Sequence, residues 1–416
     1  MPLDSSMGVN FPLSFAEQSY LALSCNTLDK QIVLWYNLTM ITYKFKLYRN
    51  EKNSILTSKI DIAGIVYNHC IALHRRYYRL AGKFLNCNRL QSHIAKLKKL
   101  AKYEFWKMLD AQAIQDIAQR IDKAYQLFFD NLKRKVRTAP PGFKKVKKYS
   151  SFTLKQTGWK LVGSNQLVIM KETYRFHKSR EVLGKIKTVT VKRSKAGELY
   201  VYFVTDWDDD QRQPTTGNSA GFDFGLKTFL TCSDGKDIQS PLFLKRSLSD
   251  KAKLQRRFSR CKKGSSNWHS LKYSLAKLDE HIANQRKDWF FKLAHTLTDK
   301  FDCLFFETLN LRGMVKLWGR KVSDLAFASF LNILKHVAAK KGKTVHCIDR
   351  WYPSTKTCSC CGHINHNLTL NDRRWRCPSC NTVVDRDTNA AVNILSEGTS
   401  SLAVGTVRPA LQASAV

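Results

Sequence analysis

Negative charge is scarce in this chain: Asp and Glu number 33 against 70 Lys and Arg, a formal net charge of +37 over 416 residues. Solubility of a small domain needs a net charge of only about 2–8. An excess this large on a folded chain points to a nucleic-acid partner, either in a specific complex or as a ribosome-like structural RNA binder. The duller alternative is a basic membrane-surface protein. No apolar run reaches the ~18 residues of a membrane span; QIVLWYNLTMIT is short and broken by Asn37. The first residues lack the basic n-region of a secretory signal. No internal repeat or long low-complexity tract is present, and 43% hydrophobic with 11% aromatic residues is not the composition of a disordered chain. Without a secretory signal, the 12 cysteines read as thiols in a reducing cytoplasm rather than disulfides. The expected setting is cytoplasmic, at a prokaryotic nucleoid, with no membrane partner.

Along the chain, residues 1–39 carry little periodicity and read as an atypical N-terminal extension. At Met40 the character changes, and MITYKFKLYRN alternates like a half-exposed strand, which makes Met40 a candidate start of the folded part. Residues 57–135 read as helices. In the last of them Ile114, Ile117, Ala118, Ile121, Ala124, Tyr125 and Phe128 form one apolar stripe. Pro140, Pro141 and Gly142 break it, and YSSFTL, QLVIM, KIKTVTVKR and LYVYFVTD follow as short strands of a small barrel or sandwich. A first barrel strand before the helices makes the helical block an insertion. The stretch 211–219 reads as a linker. Beyond it lie two strands joined at Gly225, basic helices over 247–300, the buried strand CLFFE, a helix with Phe327, Phe330, Leu331 and Leu334 on one face, and the strand TVHCI.

Candidate nucleic-acid contacts follow the basic runs. HRRYYR interleaves Arg75, Arg76 and Tyr77 in a way that suits bases and phosphates, or simply a solvated helix face. Lys144 and Lys145 open KKVKK, and Arg256, Arg257, Lys262, Lys263 and Arg286 stud the later helices as candidate phosphate contacts.

Because acids are few, their positions are informative. Asp223 lies inside the apolar AGFDFGL, Glu307 ends CLFFE, and Asp387 opens the helix DTNAAVNIL after the strand-like TVV. A buried carboxylate costs several kcal/mol unless a partner compensates. Hard oxygen ligands suit Mg²⁺ or Mn²⁺, and two such ions about 3.5–4 Å apart support phosphodiester hydrolysis. Each acid alone is a weak signal: Asp387 reads equally as a helix cap, and Asp385 as a strand-end residue facing water. Three at the ends of apolar elements in so basic a chain favour a metal-dependent nuclease.

Cys358-x₂-Cys361-x₁₅-Cys377-x₂-Cys380 has the two-knuckle spacing of a zinc ribbon. Four thiolates close the tetrahedron, so this Zn²⁺ is expected to be structural. Cys360 is a bystander, and His363 and His366 are weaker substitutes.

In order, YKFKLYRN, GFDFGLKTFLT, LQRRFSRCKKG, ANQRKDWF, FFETLNLRGM, WYPSTKTCSCCGH, RRWRCPSC and DRDTNAAVNI span Met40 to about Ile394. This series resembles the TnpB family, the insertion-sequence-encoded relatives of compact type V CRISPR effectors. The resemblance implies an α+β multidomain fold: an RNase H-like (RuvC) nuclease with an inserted zinc ribbon, preceded by a wedge β-barrel carrying a helical recognition insertion. The implied segments are a first barrel strand at 40–56, the insertion at 57–139, the rest of the barrel at 140–210, the linker at 211–219, the first nuclease part at 220–355, the ribbon at 356–384, and the last nuclease part with the tail at 385–416. It implies Asp223, Glu307 and Asp387 as catalytic metal ligands and the four cysteines as zinc ligands. It implies RNA-guided cleavage of double-stranded DNA beside a short motif, with a guide RNA from the element end and a companion transposase encoded by the same element. Two rival readings stand beside it: a transposase or recombination factor using the same acids, and an RNA-guided repressor that cuts little.

Overall fold

The computed structural model describes residues 40–206, 212–369 and 372–412. The expectation for residues 1–39 lies outside them.

The alternation of ITYKFK makes β1 (Ile41–Lys46), with Tyr43 and Phe45 buried and Thr42 and Lys44 exposed. Three helices follow: α1 (Asn53–Ala81), α2 (Cys87–Leu97) and α3 (Ala111–Lys133). Then come β2 (Ser151–Leu154), β3 (Trp159–Val162), β4 (Gln166–Ile169), β5 (Glu172–Arg175), β6 (Ile186–Arg193) and β7 (Leu199–Thr205). β1 pairs antiparallel with β7, Ile41 opposite Thr205, so the chain leaves the sheet for the helices and returns to it. One sheet runs β1-β7-β6-β2 and a second β3-β4-β5, bridged at Leu47 and Phe176. Phe45, Phe176 and Phe203 meet between the sheets, in the same core that takes Leu56 and Ile60 of α1 and Ile117 and Ile121 of α3. Helical block and barrel therefore share one core.

Four details differ from the sequence reading. β3 and β5 are additional strands, each four residues and half solvent-facing, too short and polar to show a period. The first helix starts at Asn53 rather than 57. Ala124 faces water, so the buried stripe of α3 is Ile114, Ile117, Ala118, Ile121 and Tyr125 with Ala113. A helix that the pattern did not announce, Leu311–Leu325, follows the buried strand CLFFE.

The second half begins with β8 (Ser219–Phe224), β9 (Leu230–Cys232) and β10 (Asp237–Ile238). Next are α4 (Leu248–Arg260), α5 (Ser266–Lys300), β11 (Cys303–Glu307), α6 (Leu311–Leu325), α7 (Phe327–Lys340) and β12 (Thr344–Ile348). The hairpin β13 (Arg374–Arg376) and β14 (Val383–Asp385) precedes α8 (Arg386–Gln412). The sheet order is β10-β9-β8-β11-β12. β8, β11 and β12 are parallel, while β9 and β10 run antiparallel. This is the RNase H-like sheet that the resemblance implied. On one face α5 and α7 bury Phe290, Ala294, Phe330 and Leu334 against Phe222, Leu304 and Phe306. On the other, Ile394 of α8 joins Phe305 and Ile348.

The two halves meet around Glu198, at the start of β7. Its side chain is 3% exposed and takes Lys46 at 3.1 Å, Arg49 at 2.5 Å and Lys277 of α5 at 3.0 Å. The Tyr273 hydroxyl of α5 donates to it at 3.0 Å, and the Tyr200 hydroxyl of β7 donates to Glu280 of α5 at 2.7 Å.

Candidate active site

β8 and β11 lie side by side in parallel, Phe222 opposite Phe306, so the next residues on each strand, Asp223 and Glu307, stand at one edge of the sheet. The third acid arrives from α8. Gly221 lets that helix sit directly on β8: a side chain there would strike the Ala391 carbonyl and come 2.5 Å from the Leu395 nitrogen. Gly398 repeats the device one level along, where a methyl group would strike the Phe305 ring. With the helix this close, the charge of Asp387 in its first turn is felt at Asp223.

The Asp385-Arg386-Asp387 triplet divides its work. Asp385 accepts from the backbone N–H groups of Asp387 at 3.1 Å and Thr388 at 3.2 Å, so it, not Asp387, caps the helix. Asp387 is thereby free of capping. It is gripped instead by the Arg386 Nε at 3.2 Å and by Arg373, which reaches it from between the two cysteine pairs.

Electrostatics set Asp223 apart. Burial, reinforced by the charges of Glu307 and Asp387, pushes its carboxyl up to about 8 against the pull of Arg386 and the Phe224 N–H. Burial also raises Glu307. Among the described residues no side-chain donor meets either carboxylate. Two half-buried acids beside a third, short of positive charge in a strongly basic protein, are the donor set that a hard divalent cation neutralises. With Arg373 on Asp387, the three carboxylates do not form a group whose ligand atoms all lie within 4.8 Å of one another.

The four cysteines are such a group. Cys358 and Cys380 sulfurs are 3.7 Å apart, and those of Cys361 and Cys377 3.6 Å. A tetrahedron with Zn–S bonds near 2.3 Å has edges of about 3.8 Å, so the site fits zinc. Each knuckle turns through a left-handed residue, Gly362 at φ +77° and Asn381 at φ +59°. Cys360, His363 and His366 stay outside the cluster.

Three further contacts bind this segment to the site and were not read from the sequence. The buried Asn389 side chain of α8 donates to the Thr357 carbonyl at 2.7 Å and accepts from the Ser359 N–H at 2.8 Å. One turn on, Asn393 donates to the Ser354 and Thr357 carbonyls. Arg373 adds its ion pair and accepts the Arg386 N–H at 2.8 Å on its carbonyl. The signal was there in DTNAAVNI, as two asparagines four apart on the helix that begins at the last acid.

The basic candidates scatter over the surface. Arg75 lies over Phe143 and Lys144 over Tyr67, while Tyr77 accepts from Arg89. Arg76, Lys145, Arg256, Arg257, Lys262 and Lys263 are exposed. Arg286 departs from the group: it turns inward to the buried Asp324 at 3.1 Å, which also caps the turn at Leu244 and Lys245.

Against known proteins, residues 202–317, which carry Asp223 and Glu307, match the family model described as "Probable transposase" (OrfB_IS605). Residues 327–394, with the cysteines and Asp387, match "Cas12f1-like, TNB domain". A protein of Streptomyces pristinaespiralis named as an RNA-guided DNA endonuclease is 29% identical over 89% of this chain and 93% of its own. One of Escherichia coli K12 with a similar name, InsQ, is 26% identical over 82% and 87%. TnpB-like protein L79 of Acanthamoeba polyphaga mimivirus is 30% identical over 51% of this chain and 43% of its own. In both matched regions the chain is similar to the TnpB family. The likeness in fold extends to a solved Cas12f1–sgRNA–target DNA complex, with TM-score 0.54, 16% identity, and coverage of 89% of this chain and 86% of that one. Among the described residues no helix is long and apolar enough to cross a membrane.

Proposed function

We propose that this chain is an RNA-guided DNA endonuclease of a transposable element, hydrolysing DNA phosphodiester bonds at Asp223, Glu307 and Asp387. One observation carries the reading: carboxylates far apart in sequence converge at one sheet edge, two of them half-buried without a side-chain donor. The names of full-length relatives supply the RNA guide and the DNA substrate.

Asp223 and Glu307 are fixed side by side on parallel strands, and Asp387 is fixed by a helix that the Gly221 contact seats. Mg²⁺ or Mn²⁺ held by the three would activate a water and steady the leaving oxygen. Arg386 and Arg373 hold the Asp387 carboxylate in place, and the half-exposed Arg373 guanidinium has donors to spare for a phosphate oxygen. Zn²⁺ on the four cysteines holds the segment from which Arg373 reaches in. Guide pairing reads the target, while the protein opens the duplex beside a short motif and positions backbones through its basic surface. The barrel with its helical insertion, over residues 40–206, is the part proposed to hold the RNA.

The test has two stages. RNA copurifying with protein expressed from its native flanking DNA is sequenced, and the matching DNA is offered with Mg²⁺. One discrete RNA ending in a segment that matches DNA beyond the gene, with cutting abolished by Asp223→Ala and RNA retained, supports the reading. No discrete RNA, or wild-type cutting by Asp223→Ala, refutes it. The "Probable transposase" model keeps a second reading in view: strand-transfer products in place of simple breaks would select it.

A further inference from the structure

Trp351 is the most exposed large hydrophobic side chain among the described residues, at 82%. A tryptophan held in water contributes nothing to a core. The loop beneath it is nevertheless fixed. The Trp351 N–H donates to Asp349 Oδ1 at 2.7 Å, and Tyr352 packs among Phe305, Ile348 and Ile394. The Ser354 N–H donates to the Tyr352 carbonyl at 2.8 Å, and the Ser354 carbonyl is held by Asn393 of α8. The Arg350 guanidinium lies over the indole, 5.7 Å from a ring centre. The result is an outward ring on a fixed loop, with a cation beside it.

Its place in the fold is specific. β12 runs parallel to β11 with Ile348 opposite Glu307, and the Thr308 hydroxyl donates to the Ile348 carbonyl at 2.7 Å. Trp351 is three residues past Ile348. At up to about 3.6 Å per residue and about 4.8 Å between strands, its Cα is within roughly 16 Å of that of Glu307. Trp351 therefore leaves the sheet at the edge where Asp223 and Glu307 stand.

We infer that Trp351 is a stacking platform for a nucleobase of the DNA strand being cut, with Arg350 beside it to meet the backbone. The inference rests on the nuclease reading above and deepens it. Stacking on an aromatic face tolerates any base, as an enzyme whose target is read by a guide requires. A base clamped a few nucleotides from the scissile phosphate fixes which phosphate reaches the carboxylates. Trp351 is thus a positioning residue that acts through the strand it holds, not a catalytic one.

The test compares wild-type, Trp351→Ala and Trp351→Phe ribonucleoproteins on one target, mapping cleaved ends at nucleotide resolution and measuring KM and kcat. Trp351→Ala is expected to raise KM about 5- to 100-fold and to spread cutting over neighbouring phosphates, and Trp351→Phe to restore both largely. An alanine variant that cuts the same phosphate with wild-type KM overturns the inference. One that loses zinc or RNA assigns the ring to folding and overturns it too. A wild-type protein that carries its RNA but never cuts takes down the nuclease reading and this inference with it, whereas an active wild type with an indifferent Trp351→Ala takes down this inference alone.

Discussion

Gly221 and Ala391 are in backbone contact: the strand that carries Asp223 and the helix that carries Asp387 touch with no side chain between them. The meeting of two acids separated by most of the nuclease half depends on that missing Cβ. Gly221→Ala must push α8 off the sheet or bend β8. Overpacking of this kind costs at least about 1–3 kcal/mol. A lower Tm with cutting reduced more than tenfold and RNA retained is expected; an unchanged Tm would show that the helix can shift freely.

Asp223 makes the cation-free protein sensitive to alkali. Its carboxyl is raised from 3.8 to about 8 in the fold, so between those values the native state holds a proton that the unfolded chain has released. This contribution to stability therefore falls as pH rises from about 4 to about 8. In chelator, thermal scans from pH 6 to pH 8.5 should show Tm falling, and Asp223→Asn should flatten that fall. Added Mg²⁺ should raise the wild-type Tm most at the alkaline end. A Mg²⁺ effect independent of pH, or undiminished in Asp223→Asn, would count against Asp223 as a ligand.

The cysteine segment is coupled to the carboxylate edge through Arg373, Asn389 and Asn393. Cys361→Ser should lower bound zinc from about one ion per chain and remove cutting, while the barrel half keeps its RNA. Asn393→Ala, which leaves all four thiolates, should keep the zinc and still cut more slowly. If both variants cut like wild type, the ribbon is an independent module.

Glu198 joins barrel to nuclease. Burial pushes its carboxyl up, but hydrogen bonds from Arg49, Lys277, Lys46 and Tyr273 outweigh this and hold it well below the usual range. Its contribution is therefore present above pH about 4.5 and lost as pH falls further. Glu198→Gln should have a lower Tm at neutral pH, with the gap to wild type closing under acid. Parallel Tm curves down to pH 3 would refute the clasp.

The three acids stood out in the sequence because each lies inside or at the end of an apolar element, and the four clustered cysteines because a knuckle fixes their spacing. The signal for β1, α3, β8 and α7 was equally local, a period of 2 or 3.6 created by one buried face. What escaped shows such a face faintly or not at all. In α6 Met314, Val322 and Leu325 turn to the core, but Gly313, Gly319 and the water-facing Val315 and Leu317 blur the stripe. β3 and β5 have only four residues each. Arg286 looks like any surface arginine until Asp324, distant in sequence, comes to it. Arg373 likewise takes its meaning only from Asp387, once the hairpin has folded back onto the helix. The sequence suggests Asp387 as the cap and Asp385 as a strand-end residue facing water, and the hydrogen bonds give the cap to Asp385 instead.

The late position of α8 also has a consequence in time. Asp387 leaves the ribosome roughly 160 residues after Asp223, which at about 5–20 residues per second is on the order of 8–30 s. For roughly the first half of that interval, until Glu307 emerges, the nascent chain holds one acid of the three, and after it two. On the function proposed above, a barrel able to take up RNA early would be loaded before the carboxylate set is complete, and a chain that ends before α8 would never complete it.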